Sequence, residues 1–199
     1  MVTRIGVDMD GVLIHNDPTW KEYYDSNFHA HNHRELHVGA PPTWDYIYDL
    51  CSTCFSEVVN SPTILAQSVP MPGVRSGVRR LSRLRDDNGD RVELWLVSHR
   101  GPELTEVATS VIERFGVLQY FTSLQWSWCP KLETCRRDKI SILIDDAPKN
   151  ILSLQGTEVT PVIMNWPYNS NLKGLRAYSW NDVVSICSGL VRRKGVVAA

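Results

Sequence analysis

The chain has 199 residues, 43% of them hydrophobic, which suffices for one folded domain with room for a small insertion. Its 21 basic and 22 acidic residues give a formal net charge of −1, which excludes the strongly basic face that proteins use to bind long nucleic acids. No apolar run reaches about eighteen residues, so the sequence predicts no membrane span. The segment before Asp8 lacks the apolar core and cleavage site of a signal peptide, and we expect a cytoplasmic protein with reduced thiols.

Short apolar runs predict five strands, at residues 4–8, 92–98, 122–126, 140–145 and 160–166. Helical spacing of apolar residues predicts helices at 73–85 and 102–115, and a capping pattern from Ser179 to Asp182 opens a last helix that reaches about residue 190. Because the strands are apolar throughout and alternate with helices, we expect a three-layer α/β fold with a doubly wound parallel sheet. Ligands bind beyond the carboxyl ends of the strands in such sheets.

Residues 15–71 interrupt this alternation. The segment is too long for a plain loop inside a compact domain, so we predict a small, mostly helical cap inserted after the first strand. The core then comprises residues 1–14 and 72–190, and residues 191–199 form a flexible tail. Aromatic residues of the cap stack on a substrate base or form the cap's own core, and both interpretations stay open. They are Trp20, Tyr23, Tyr24, Phe28 and Trp44.

Carboxylates follow two of the predicted strands. Asp8 and Asp10 alternate at the end of the first strand, so both side chains point the same way, and Gly11 then lets the chain turn. Asp145 and Asp146 end the fourth strand. Such aspartates often only cap turns, but converging carboxylates repel unless a cation joins them, and oxygen ligands suit Mg²⁺. We therefore predict a magnesium site.

Polar residues that suit a phosphate group follow the second strand. Ser98 stands at a strand end just before a helix start, where N–H groups and the helix dipole favour an anion, although a hydroxyl there also caps helices. His99 is a weaker candidate. Arg100 is expected to bind substrate phosphate or a cap carboxylate, or to be a solvated surface residue.

A lysine is expected to balance these negative charges. Lys131 follows the third strand and is the candidate that neutralises the carboxylates and the bound phosphate. Lys139 competes with it, but it precedes the fourth strand and is expected at the end of the sheet away from the site.

Taken together, Asp8-Met-Asp-Gly-Val-Leu13, Ser98, Lys131 and Asp145-Asp146 resemble the four motifs of the haloacid dehalogenase superfamily. Within it the chain is similar to the 5′(3′)-deoxyribonucleotidase group, which also ends with a turn like Trp166-Pro-Tyr-Asn169 and a tryptophan, here Trp180, before its last helix. Ser98 stands where that group more often has threonine, and the cap does not clearly match.

The resemblance implies a phosphohydrolase with two steps. Asp8 attacks phosphorus and forms an aspartyl-phosphate, while Asp10 protonates the leaving oxygen and then activates water. Magnesium is held by Asp8, the backbone carbonyl of Asp10 and Asp145, with Asp146 in support. Ser98 and Lys131 bind the phosphoryl oxygens.

Two further patterns have simpler interpretations. Cys51 and Cys54, near His29, His31, His33 and His37, suggest zinc, but no second pair stands at a familiar distance, and we expect core cysteines on a helix. A run of arginines follows residue 74 and is expected to be a solvated helix face, with contact to a nucleic-acid end as the alternative. The run comprises Arg75, Arg79, Arg80, Arg83 and Arg85.

The function expected from these features is dephosphorylation of a small phosphorylated substrate, a nucleoside monophosphate, by a protein that forms a monomer or a homodimer. One alternative is a phosphatase of polynucleotide 3′ ends. Another is a non-catalytic binding protein on the same scaffold, although retention of both Asp8 and Asp10 argues against it.

Overall fold

The structure is a computed structural model that describes residues 2–15, 59–86 and 88–193. Most of the predicted cap therefore lies outside the described residues. This includes the proposed stacking residues Trp20, Tyr24 and Trp44 and the cysteine pair Cys51 and Cys54. Within the described residues, Cys129, Cys135 and Cys187 form no disulfide.

A six-stranded parallel sheet forms the centre of the molecule. The predicted doubly wound α/β fold is confirmed. The strands, including a separate antiparallel pair β2 and β3, are β1 (Arg4–Val7), β2 (Ile14–His15), β3 (Val69–Pro70), β4 (Glu93–Ser98), β5 (Ser123–Trp126), β6 (Ile142–Asp145), β7 (Thr160–Met164) and β8 (Leu175–Ala177). The strand order of the sheet is β5-β4-β1-β6-β7-β8. Each of the five predicted strands is present, whereas the two-residue strands β2 and β3 were not predicted, and neither was β8. It is three residues long with Arg176 at its centre, so it shows no apolar run.

Six α-helices lie wholly within the described part of the chain. They are α1 (Pro62–Gln67), α2 (Val74–Leu81), α3 (Thr105–Arg114), α4 (Lys131–Arg137), α5 (Pro148–Leu154) and α6 (Trp180–Arg193). Short 3₁₀ turns lie at Pro102–Leu104, Leu118–Tyr120 and Pro167–Asn169. None of these helices is both long and apolar enough to cross a membrane.

The ends of two predicted helices differ from the expectation. α2 ends at Leu81, four residues before the predicted end, and Ser82 caps it. The last helix continues to Arg193, and Val191 is buried in the core, so residues 191–193 are not the start of a flexible tail. Val191 belongs to the same apolar stripe as Val184 and Cys187, and its burial continues the helix by one turn.

Close packing of α2 on α6 fixes one layer of the fold. Trp180 is 2% exposed and lies over Gly77, where a Cβ atom would come within 2.5 Å of the indole ring. Only a glycine at position 77 lets the backbone of α2 come this close to the indole ring without a clash. The indole nitrogen of Trp180 also donates a hydrogen bond of 3.0 Å to the Val12 carbonyl, which connects this helix layer to the loop after β1.

The pair β2–β3 holds together the two ends of the segment between them. Ile14 pairs with Pro70 and His15 pairs with Val69 in an antiparallel register. The segment therefore leaves and returns directly beside the loop that follows β1. The carboxyl ends of β1, β4 and β6 lie at one edge of the sheet, because the three strands are adjacent and parallel.

Candidate active site

The loop that follows β1 turns sharply at Gly11. The Asp8 N–H donates to the Ile144 carbonyl at 2.9 Å, so Asp8 continues the strand by one residue, and the Met9 carbonyl then accepts from Leu13 and Ile14. Gly11 has φ +68°, and a Cβ atom there would lie 2.1 Å from an Asp146 carboxylate oxygen. This position requires glycine both for its conformation and for the space that Asp146 occupies.

Lys131 lies between two aspartates. Its Nζ is 2.7 Å from Asp8 Oδ1 and 2.6 Å from Asp145 Oδ2, and all three side chains are buried. Burial by itself lowers the pKa of Lys131, but Asp145 and Asp8 outweigh that effect and raise the pKa above its usual value. The lysine is therefore a permanent cation. Lys139, the competing candidate, is exposed and precedes β6, at the opposite end of the sheet.

Three buried carboxylates offer oxygens to one point. An oxygen from each of Asp8, Asp145 and Asp146 lies within 4.8 Å of the others. Burial, with the neighbouring carboxylates, raises the pKa of Asp8 well above its usual range despite Lys131, and raises the pKa of Asp146 to about 7. Burial and mutual repulsion disfavour the ionised forms of these carboxylates. A hard divalent cation bound among them would offset the repulsion, so the cluster is suited to such a cation.

Residues next to these carboxylates fix their orientation. Asp145 Oδ1 accepts from the Ala147 N–H at 2.9 Å, and both its oxygens lie within 3.2 Å of Asn150 Nδ2. The Tyr168 hydroxyl donates to Asp146 Oδ2. Outer hydrogen bonds of this kind hold metal-binding carboxylates in one rotamer.

Arg100 binds the second aspartate of the loop. Its Nε and Nη2 donate to the two carboxylate oxygens of Asp10 at 2.8 and 2.6 Å, and Nη1 donates to the Val59 carbonyl. Arg100 is 3% exposed. The expectation of a solvated surface arginine is therefore wrong. The carboxylate that it binds belongs to Asp10 and not to a described residue of the cap.

Ser98 ends β4 beside these residues and is 2% exposed. Its Oγ accepts the Arg100 N–H at 3.2 Å, whereas the 3₁₀ helix that follows has Gly101 at its N-cap and no side-chain cap. Ser98 therefore does not cap that helix. His99 is half-buried with Nε2 3.0 Å from the Cys129 carbonyl, and burial together with Lys131 lowers its pKa. The lowered pKa means that the ring favours the neutral form.

A turn late in the chain supports the site and was not assigned this role from the sequence. The Trp166 indole N–H donates to the Gly11 carbonyl at 2.8 Å, and the Asn169 amide donates to the carbonyls of Asp146 and Met164. The Arg176 guanidinium in turn donates to the side-chain oxygen and to the backbone carbonyl of Asn169. The Trp-Pro-Tyr-Asn stretch was noted only as part of the resemblance. Asn150 carried no signal at all.

Residues 1–194 match the family model described as 5′ nucleotidase, deoxy (pyrimidine), cytosolic type C protein (NT5C). No curated protein sequence matches the chain.

Solved structures with a similar fold include a haloacid dehalogenase-like hydrolase from Streptococcus pneumoniae, with a TM-score of 0.63, 14% identity, and 94% and 98% of the two chains covered. A haloacid dehalogenase-superfamily hydrolase from Geobacter sulfurreducens has a TM-score of 0.60 and 14% identity, with 94% and 100% covered. A predicted phosphoglycolate phosphatase from Haemophilus somnus has a TM-score of 0.58 and 15% identity, with 94% and 98% covered. At these identities the likeness shows the fold.

Proposed function

The chain belongs to the 5′ nucleotidase, deoxy (pyrimidine), cytosolic type C family of haloacid dehalogenase-like phosphatases, and we propose that it is a magnesium-dependent hydrolase of nucleoside monophosphates. The observation that carries this proposal is the buried Lys131 bridging Asp8 and Asp145. A nucleophilic carboxylate, a metal-binding carboxylate and a fixed cation are the groups that phosphoryl transfer to an aspartate needs. The family name also supports action in the cytoplasm.

Asp8 is the proposed nucleophile. Its Oδ1 accepts the Met9 N–H and faces Lys131, so Oδ2 is the oxygen we assign to the attack. The Oδ2–P bond forms as the bond from phosphorus to the leaving oxygen breaks, and Asp10 gives its proton to that oxygen. Asp10 then takes a proton from water, whose oxygen attacks phosphorus. Inorganic phosphate leaves, and the Asp8 carboxylate is restored.

Magnesium would be held by Asp8, Asp145 and Asp146, with the Asp10 backbone carbonyl as the further ligand that the resemblance implies. When bound, it would neutralise charge on the phosphoryl oxygens. Lys131 supplies a second, permanent positive charge to the same oxygens. Asn150 and Tyr168 keep the carboxylates in place, so little rearrangement accompanies the reaction.

The phosphate group is proposed to sit against Ser98, Lys131 and His99. Ser98 contributes a buried hydroxyl, whereas the Nε2–H of a neutral His99 donates to the Cys129 carbonyl and leaves Nδ1 as an acceptor for a protonated phosphate oxygen. Arg100 holds Asp10 in the present arrangement, and a direct contact from Arg100 to phosphate requires that it release this carboxylate. Recognition of a base by Trp20, Tyr24 and Trp44 stays a prediction from the sequence.

The experiment is a phosphatase assay across deoxyribonucleoside and ribonucleoside monophosphates, sugar phosphates and a 3′-phosphorylated oligonucleotide, with Mg²⁺ or with a chelator. We expect mononucleotides to be the preferred substrates, with activity lost in chelator. Asp8→Asn is expected to lower kcat by at least about 10³-fold, because it removes the nucleophile. Preference for the oligonucleotide would replace the proposed substrate class.

Asp90→Asn is the matched control, since Asp90 is exposed and precedes β4, at the end of the sheet opposite the candidate residues. It is expected to leave the rate unchanged. Full activity in Asp8→Asn would overturn the mechanism. Absence of hydrolysis of every phosphomonoester by the metal-loaded protein would favour the non-catalytic alternative.

A further inference from the structure

A groove lies between α2 and the end of α3, and none of the described residues that line it belongs to the candidate active site. Its volume is about 930 Å³, within the range of sites that take small molecules. Its walls come from residues 67–72, the first two turns of α2, the end of α3 and Tyr120. We call it the arginine groove after three of the residues that line it, Arg75, Arg79 and Arg114.

The described charged residues that line the arginine groove are all arginines. No aspartate or glutamate occurs among the described residues that line it. Arg114 has a structural role. Its guanidinium donates to the carbonyls of Ala66 and Ser68 at 2.7 and 2.6 Å and so fixes one wall of the groove.

The other two arginines are placed differently. Arg75 and Arg79 are exposed and lie one turn apart on α2, so both face the same side of the helix. Within residues 59–86 and 88–193, the guanidinium groups of Arg75 and Arg79 make no hydrogen bond and no ion pair. Arg80, by contrast, donates to Asn181, and Arg85 donates to the Gly89 carbonyl. The run of arginines seen in the sequence therefore divides into two that line a cavity and others that face elsewhere.

Apolar surface lies beside these cations. Val69 is 41% exposed, Pro70 is exposed, and Met71 and Tyr120 are half-buried. A pocket that combines a few cationic groups with apolar walls is complementary to an organic anion that carries a ring or a hydrocarbon group.

We propose that the arginine groove is a second binding site, for an organic phosphate that carries a ring. Arg75 and Arg79 hold the phosphate oxygens, and Val69, Met71 and Tyr120 contact the ring. The site is separate from the carboxylates at the ends of β1 and β6, so the proposal does not depend on the proposed catalytic function.

The test is titration of the full chain with phenylphosphonate, which has a ring and an anion but no ester bond to hydrolyse. Amide signals of Gly73, Ser76 and Gly116, recorded by two-dimensional NMR, report on the groove, and those of Ser98 and Asp8 report on the active site. We expect the groove signals to shift along their own saturation curve. Arg75→Ala/Arg79→Ala is expected to weaken this curve at least about tenfold while the active-site signals keep theirs.

Arg80→Ala/Arg83→Ala is the matched control. It also removes two positive charges, one from α2 and one from just after it, but neither residue lines the groove. It is expected to leave the groove affinity within about twofold. Equal weakening by the two double variants would mean that the helix face attracts anions in general, and the proposal would fail. It would also fail if the groove signals stayed unshifted, or if inorganic phosphate bound the groove as tightly as phenylphosphonate does.

Discussion

Two cations hold carboxylates at the candidate active site, and they do so in different ways. Lys131 lies between Asp8 and Asp145 and contacts one oxygen of each. Arg100 instead binds both oxygens of the single carboxylate of Asp10. A point charge shared by two acids balances charge, whereas a planar guanidinium that binds one acid fixes its orientation.

The surroundings of the two cations differ as well. The Lys131 arrangement is made entirely by the ends of β1 and β6 and the start of α4, all parts of the core. Arg100 also donates to the carbonyl of Val59, just before α1, where the described chain resumes. The proposed nucleophile and the proposed metal ligand Asp145 are therefore held by strand ends and α4, while the proposed acid is also connected, through Arg100, to the segment before α1.

Removal of Lys131 tests the charge-balancing arrangement and has the largest expected effect. Lys131→Met is expected to lower kcat by about 10²–10³-fold, because the phosphoryl oxygens lose a preorganised cation in a buried site. Lys139→Met, at the exposed opposite end of the sheet, is expected to keep the wild-type rate. Steady-state kinetics measure both. If Lys131→Met kept the wild-type kcat, Lys131 would not have the charge-balancing role that distinguishes it from Arg100.

Substitution of Arg100 tests the orienting arrangement. Arg100→Lys keeps the charge but not the paired contacts, so kcat is expected to fall about tenfold to hundredfold with a smaller change in KM. Arg136→Lys, whose arginine pairs with Glu158 on the surface, is the control. A raised KM with unchanged kcat would instead assign Arg100 to substrate phosphate, as the sequence also allowed.

Loss of the Tyr168 hydroxyl tests how Asp146, one of the three clustered carboxylates, is oriented. Tyr168→Phe is expected to weaken Mg²⁺ binding about tenfold, because Asp146 loses the hydroxyl that orients it, while kcat at saturating metal stays near wild type. Calorimetric titration with Mg²⁺ measures the affinity. Tyr178→Phe is a suitable control since Tyr178 is 73% exposed, and Arg100→Lys is expected to leave Mg²⁺ affinity unchanged.

The raised pKa of Asp146, about 7 in the metal-free protein, gives the smallest effect. Its folded pKa exceeds its unfolded value of about 4, so the metal-free protein loses stability as the pH rises from about 4 to about 7, the range in which only the unfolded chain releases this proton. Magnesium needs the ionised carboxylate, so its affinity is expected to rise about tenfold between about pH 6 and pH 8. Thermal melts with and without Mg²⁺ measure this as a larger gain in Tm at the higher pH. Asp146→Asn removes the titrating carboxyl, so the gain in Tm from Mg²⁺ is expected to become similar at the two pH values.

The sequence by itself determined the sheet, the motif residues and the end of the sheet where they meet. Buried parallel strands are apolar throughout, and residues at adjacent carboxyl ends must come together, so Asp8, Ser98 and Asp145 were placed by local pattern alone. The same logic separated Lys131 from Lys139. β8, α4 and α5 are too short for a periodic pattern of apolar residues to show, so the sequence did not predict them.

Only the tertiary structure decided which partners these residues take. Nothing local indicates that Arg100 binds Asp10, that Tyr168 and Asn169 hold Asp146, or that Trp166 and Trp180 bind the loop carbonyls. These contacts join residues far apart in the chain, and a hydrogen bond depends on distances of a few ångströms that only the packed layers set. The division of the arginine run between groove and surface was decided in the same way, because Arg79 and Arg80 are sequence neighbours that point to different sides of one helix.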